Sequence, residues 1–179
     1  MKIYRLSEIE EKDVFLRCDT GVDVSGPVRE MIAQVREKGD SALYALTERF
    51  DGARLETLAV AEQEIDDAMR AVEPEFLEIL REAAGNIRRY HEKQKRESFV
   101  MTEREGVVLG QKILPLERVG IYVPGGTAAY PSSVLMNAVP AQIAGVKEII
   151  MVTPPGRDGT VNPAILAAAR IAGVTRIFK

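Results

Sequence analysis

Val119-Gly-Ile-Tyr-Val-Pro-Gly-Gly-Thr-Ala-Ala-Tyr-Pro-Ser-Ser-Val-Leu-Met-Asn-Ala-Val-Pro-Ala-Gln-Ile-Ala-Gly-Val146 changes character three times. Val119 to Val123 is a short β-rich apolar run, the pattern of a strand buried on both faces. Pro124-Gly125-Gly126 breaks it, because paired glycines permit positive φ and let another molecule come close to the backbone. Ser132 or Ser133 then stands where a helix cap is wanted, and Val134, Leu135, Ala138, Val139 and Ile143 recur at helical spacing until Gly145 stops them. The unit reads strand, glycine turn, helix. A helix N-terminus facing such a turn suits an anion or a cofactor.

Downstream the pattern repeats. Glu148 to Val152 is a second strand, closed by Thr153-Pro154-Pro155-Gly156. Pro163 opens a helix carrying Ile165, Leu166, Ala169 and Ile171, which Gly173 ends. Val174 to Phe178 is a third strand. Residues 119–178 therefore form βαβαβ, with crossovers of the length a parallel sheet requires. The last strand is expected to leave an open pairing edge.

Upstream, the chain to about residue 99 is helical in pattern. Ser7 and the acidic turn Glu8–Glu11 precede Val14, Phe15 and Cys18 as a short helix. After a break at Asp19–Gly26, Pro27 leads into Val28, Met31, Ile32 and Val35, with Gly39 as the stop. A helix starting at Asp40 or Ser41 carries Leu43, Leu46 and Phe50 and ends at Asp51-Gly52. Another runs from Ala61 to Val72. Pro74 opens the longest, to about Arg96, whose stripe Leu77, Leu80, Ala84, Ile87, His91 and Gln94 needs a surface to cover it. Near Val100 the pattern turns to β: Val107–Leu109 and Lys112–Leu114 flank Gly110, with Glu105-Gly106 as a turn, giving one bent strand or a hairpin. The expected division is a helical part over 1–99 and an α/β part over 100–179.

Composition excludes more than it selects. The chain has 179 residues, 46% of them hydrophobic and 28% charged, with a net charge of −3. That is an ordinary globular balance and gives no electrostatic reason for a nucleic-acid or membrane partner. Cys18 is the one cysteine, so no internal disulfide forms and the thiol reads as a small apolar residue. No apolar run is long enough to span a bilayer, and the N-terminus lacks a signal-peptide core. The expected location is the cytoplasm.

Candidate chemistry is sparse. His91, the only histidine, has no cysteine or carboxylate at ligand spacing and reads as a packed or hydrogen-bonded helix residue rather than a metal ligand. Arg88, Arg89, Lys93, Lys95 and Arg96 suit a helix C-terminus and are diluted by Glu92 and Glu97, so a solvated face fits better than a phosphate patch. Glu62, Glu64, Asp66, Asp67 and Glu73 crowd a helix start and its outer face rather than converging in a cleft. Ser132 and Ser133 lack a nucleophile elbow and an activating histidine, which leaves capping. A βαβαβ unit opening on a glycine turn invites a nucleotide, but neither G-x-G-x-x-G nor a Walker lysine is present. No acidic residue ends the second strand. Tyr122, at the end of the first strand, packs on the sheet or lies beside a ligand.

Pro115-Leu-Glu-Arg-Val-Gly-Ile-Tyr-Val-Pro-Gly-Gly126, Tyr130-Pro-Ser-Ser-Val-Leu-Met136 and Pro140-Ala-Gln-Ile-Ala-Gly145 together closely resemble histidinol dehydrogenase. Gly39-Asp40, Arg49-Phe-Asp-Gly52, Asn86-Ile with Tyr90-His91 and Gln94, and Leu109-Gly-Gln111 extend the likeness over essentially the whole chain. The architecture is also similar to aldehyde dehydrogenases, which implies a Rossmann-like α/β half. The resemblance implies a zinc-dependent, homodimeric, cytoplasmic oxidoreductase of histidine biosynthesis, which oxidises L-histidinol to L-histidine through L-histidinal by two NAD-dependent hydride transfers. It places Tyr122 at the NAD site, with Pro124, Gly125 and Gly126 as the turn beside the cofactor. Members of the family run to more than twice this length, and their zinc ligands and glutamate–histidine acid/base pair follow the point matching Lys179. The chain is therefore expected to be an N-terminal portion without catalytic or metal residues, inactive by itself. Two alternatives stand beside this: a non-catalytic binding or dimerisation module using the Leu77–Gln94 stripe, and another aldehyde-dehydrogenase-like oxidoreductase.

Overall fold

A computed structural model of the chain describes residues 5, 7, 9–10, 23–125 and 128–179. In chain order these form α1 (Ser25–Lys38), α2 (Asp40–Phe50), α3 (Glu62–Ala71), α4 (Pro74–Glu92), β1 (Phe99–Arg104), β2 (Val107–Gln111), β3 (Arg118–Tyr122), α5 (Pro131–Ile143), β4 (Glu148–Val152), α6 (Pro163–Ala172) and β5 (Arg176–Phe178). Residues 1–40 and 41–179 are separate compact units. The expected helix with Val14, Phe15 and Cys18 lies outside the described residues. In the first unit α1 forms as its spacing indicates and ends at Gly39 with φ +58°. None of its residues is buried.

The second unit is built on a parallel sheet of order β3-β4-β5, with Tyr122 opposite Val152 and Val152 opposite Phe178. The βαβαβ reading holds, and the fold is mixed α/β. Val119, Ile121, Ile149, Met151 and Ile177 alternate onto one face and pack on α5 and α6, as strand periodicity requires. The other face carries Gly120, Tyr122, Ile150, Val152 and Phe178; Tyr122 is 65% and Val152 44% exposed. The expectation that Val119–Val123 is covered on both sides is therefore corrected. Both crossover helices lie on the same side, because each connection joins neighbouring strands with the same hand.

The edge expectation is corrected too. Leu58–Val60 runs antiparallel to β5 along its outer side, with Val60 N–H donating to Ile177 C=O (3.0 Å) and Lys179 N–H to Leu58 C=O (2.7 Å). In this sheet the strand whose outer edge pairs with no other strand is β3.

Behind the sheet the core has two helical layers. Val134, Leu135, Ala138 and Val139 of α5 are buried, and so are Ile165–Ala169 and Ala172 of α6. A helix that is apolar all round belongs between two surfaces, and α6 sits between the sheet and the pair α3–α4. Its alanines let those layers approach closely. Ala68, Leu77, Leu80 and Ala84 close the outer layer, so α5 and α6 of the same unit cover the Leu77–Ala84 stripe. That removes the sequence cue for docking it on a partner. Arg170 of α6 meets Glu62 (2.5 Å) and Asp66 (2.9 Å) of α3, and Glu64 reaches Lys179 Nζ (2.8 Å). The acidic cluster is thus surface charge, as read, with Glu62, Glu64, Asp66 and Asp67 in ion pairs.

Two local expectations shift. Neither Ser132 nor Ser133 caps α5: Tyr130 is the cap residue, Pro131 the first helical one, and no side chain accepts there. A proline's fixed φ and missing N–H suit that position, which starts the helix ahead of both serines. Neither the bent strand nor a hairpin of Val107–Leu109 with Lys112–Leu114 forms: β2 pairs instead with Phe99–Arg104, turning at Glu105-Gly106 with Gly106 at φ +75°. Gly110 lies inside β2 opposite Val100, where a Cβ would meet Phe99 O at 2.6 Å. Lys112–Leu114 is not strand.

Candidate functional site

Two loops meet at the carboxyl ends of the parallel strands, where ligands of open α/β sheets bind. Val123 continues β3, fully buried, its N–H donating to Val152 C=O at 3.0 Å. Pro124 turns out to solvent, and Gly125 comes back against the second loop. A Cβ on Gly125 would lie 2.9 Å from Pro154 O and 3.0 Å from Pro154 Cγ. Its φ is not positive. The chain's own second loop, rather than a left-handed backbone, is what requires glycine at this position. Gly126 lies outside the described residues.

A crevice of about 280 Å³ opens between these loops, lined by Gly125, Thr153, Pro154, Asp158, Thr160 and Asn162 among others. Small-molecule pockets usually span roughly 300–1,000 Å³, so this one takes one end of a dinucleotide rather than the whole. Thr153 is fully buried and its N–H donates to Phe178 C=O (3.1 Å). Asp158 accepts from the Thr160 N–H (3.0 Å) and hydroxyl (2.9 Å). The backbone donor first, then the hydroxyl, hold its carboxyl below the usual carboxylate range. Asn162 caps α6, accepting from Ala164 N–H at 2.9 Å. An ionised carboxylate beside hydroxyl and amide groups suits a polyol such as a sugar better than a second anion.

Of the residues singled out in the sequence, the structure brings Gly125 into this crevice and sets Tyr122 and Pro124 at the same strand ends without lining it. Tyr122 presents its ring on the uncovered sheet face. Asp158, Thr160 and Asn162 were missed. Asp158 lies five residues past Thr153, away from the strand end, in what the sequence shows only as a turn. The available signals were Asp158-Gly159, a turn dipeptide, and Asn162 directly before Pro163.

A sequence profile described as histidinol dehydrogenase matches residues 18–179. The chain belongs to the histidinol dehydrogenase family. It is 58% identical over 152 residues to the histidinol dehydrogenase of Geobacillus kaustophilus, covering 85% of this chain and 36% of that one. It is 54% identical over 159 residues to that of Heliobacterium mobile, covering 88% and 37%. The crystal structure of histidinol dehydrogenase from Elizabethkingia anophelis superposes with a TM-score of 0.88 at 36% identity, over 98% of this chain and 40% of that one. The chain thus spans somewhat over a third of the length of the curated relatives it matches. Histidinol dehydrogenases are oxidoreductases of histidine biosynthesis. Among the described residues no three His, Cys, Asp or Glu side chains gather closely enough to hold a metal ion. Nor is any described helix long and apolar enough to cross a membrane.

His91 is half-buried; its Nδ1–H donates to Gln94 Oε1 at 2.7 Å, and its ring meets Tyr90 edge-on at 5.2 Å between centroids. It is the hydrogen-bonded helix residue the sequence suggested.

Proposed function

We propose that these 179 residues form the cofactor-side portion of a cytoplasmic, homodimeric histidinol dehydrogenase, and that NAD lies at the carboxyl edge of β3 and β4. The complete enzyme oxidises L-histidinol through L-histidinal to L-histidine, reducing two NAD. The observation that carries this reading is the family match over residues 18–179, joined to an exposed tyrosine and a glycine loop at the ligand-binding edge of a parallel sheet. Tyr122 offers its ring, and Pro124, Gly125 and Gly126 the loop backbone, to the cofactor. When bound, NAD supplies the hydride acceptor. The zinc ion and the acid/base pair belong to the other three-fifths of the family's length.

NAD titrated into the purified chain, followed by calorimetry, tests the site. Weak saturable binding is expected, and Tyr122→Ala should weaken it at least several-fold without moving the urea midpoint, since this side chain is mostly exposed. Binding that ignores Tyr122→Ala would remove the tyrosine from the cofactor site. The 179 residues alone should give no histidinol-dependent NADH; absorbance rising at the NADH band would refute the division of labour.

A further inference from the structure

A second concavity lies at the opposite, amino-terminal edge of the sheet. It sits between the end of α4, the segment leading into β3 and the end of α5, and encloses about 640 Å³. That is within the range of small-molecule pockets. Its wall is apolar, made by Ile113, Leu116, Pro140, Ile143 and Val146, and its polar lining is His91, Gln94, Lys95 and Arg96. No aspartate or glutamate lines it, although the chain as a whole is acidic at −3. Glu92 and Glu97, the acidic neighbours in sequence, are outside the lining. Neither the Lys95 nor the Arg96 side chain is in an ion pair or hydrogen bond among the described residues. The floor is held in shape: Pro115 packs at 3.4 Å from where a Cβ on Gly145 would be, and Gly145 is at φ +90°.

We propose that this groove binds a small amphipathic organic anion, with its apolar body on Ile113, Leu116, Ile143 and Val146 and its carboxylate at Lys95 and Arg96. Apolar surface supplies non-directional affinity, and two uncompensated cations beside it select the charged end. The NAD edge is at the far end of the strands, so the two sites are separate.

Octanoate and octanol share the apolar body and differ in charge, which makes them the probes. Titrations followed by ¹H–¹⁵N spectra of the full chain should show shifts centred on Ile113–Leu116 and Ile143–Val146, with octanoate binding at least tenfold tighter than octanol. Lys95→Ala combined with Arg96→Ala should erase that difference, and the exposed Leu116→Asp should abolish octanoate binding. Equal binding of the two probes, a difference that survives the double variant, or shifts centred on the uncovered sheet face or the β1–β2 hairpin would each overturn the proposal. Unchanged urea midpoints of the variants exclude a folding artefact.

Discussion

Asn162 precedes α6 and the serine pair 132–133 lies in the first turn of α5, and only Asn162 accepts a backbone N–H as a cap. Removing a cap that makes its hydrogen bond typically costs about 1 kcal/mol. Asn162→Ala is therefore expected to lower stability by about 1 kcal/mol in urea titrations. Ser132→Ala should stay within roughly ±0.5 kcal/mol, the range of neutral surface changes. Gly125 is a second single-residue case. Its hydrogen is the only substituent that fits against Pro154, so Gly125→Ala must push the two loops apart. Overpacking of this kind costs about 1–3 kcal/mol. The same displacement should weaken NAD binding in proportion, because both loops border the crevice. The sequence marks Gly125 as a special position, and the structure sets it against Pro154 of the second loop. Two adjacent glycines announce a special backbone, but whether the crowding atom is a ligand or another loop of the same chain is settled only by tertiary approach.

At the level of elements, periodicity and punctuation located nearly everything in the second unit. Prolines 74, 131 and 163 open α4, α5 and α6, and Gly145 and Gly173 follow α5 and α6 at positive φ. These are local signals, written where they act. What stayed illegible was long-range: which strand edge Leu58–Val60 would cover, and which sheet face the helices would leave open. Both depend on pairings between segments more than a hundred residues apart or on elements absent from the pattern. The crevice residues were lost for a similar reason, since a turn's side chains converge only after the strands are laid side by side. The buried layer gives the sharpest test of the helix reading. Leu135 of α5 is 1% exposed, and Leu135→Ala should cost about 2–5 kcal/mol, visible as a lowered midpoint in thermal and urea unfolding. Charge ties the strand starts together as well. Glu148 of β4 lies between Arg118 of β3 and Arg176 of β5. The Arg118 hydrogen bond first, then the charges of Arg118 and Arg176, hold its carboxyl below the ordinary 4.5. A carboxyl depressed in the folded state stabilises above its unfolded pKa and loses that contribution as pH falls through the folded value. Stability measured downward from pH 4.5 should therefore drop less steeply in Glu148→Gln than in the parent.

At the scale of the whole molecule, the described residues cover the parallel sheet on one side only, whereas parallel sheets of α/β proteins are generally covered on both. The face left open is an association hazard. Adjacent residues of β4 separate association from folding. Met151 points into the core at 0% exposure, while Val152 points the other way at 44%. Because side chains alternate along a strand, the same chemical change at the two positions should act on different properties. Val152→Thr is expected to leave the urea midpoint nearly unchanged and to reduce concentration-dependent self-association in sedimentation velocity. Met151→Thr buries a hydroxyl and opens a void, and should lower stability by several kcal/mol, of the order of other truncations in cores. If Val152→Thr sediments as the parent does at every concentration, the open sheet face is not what brings copies together. The exposed hairpin residues Val100 and Val108, each 71% exposed, are then the next surface to alter, and Val108→Thr should reduce self-association where Val152→Thr did not.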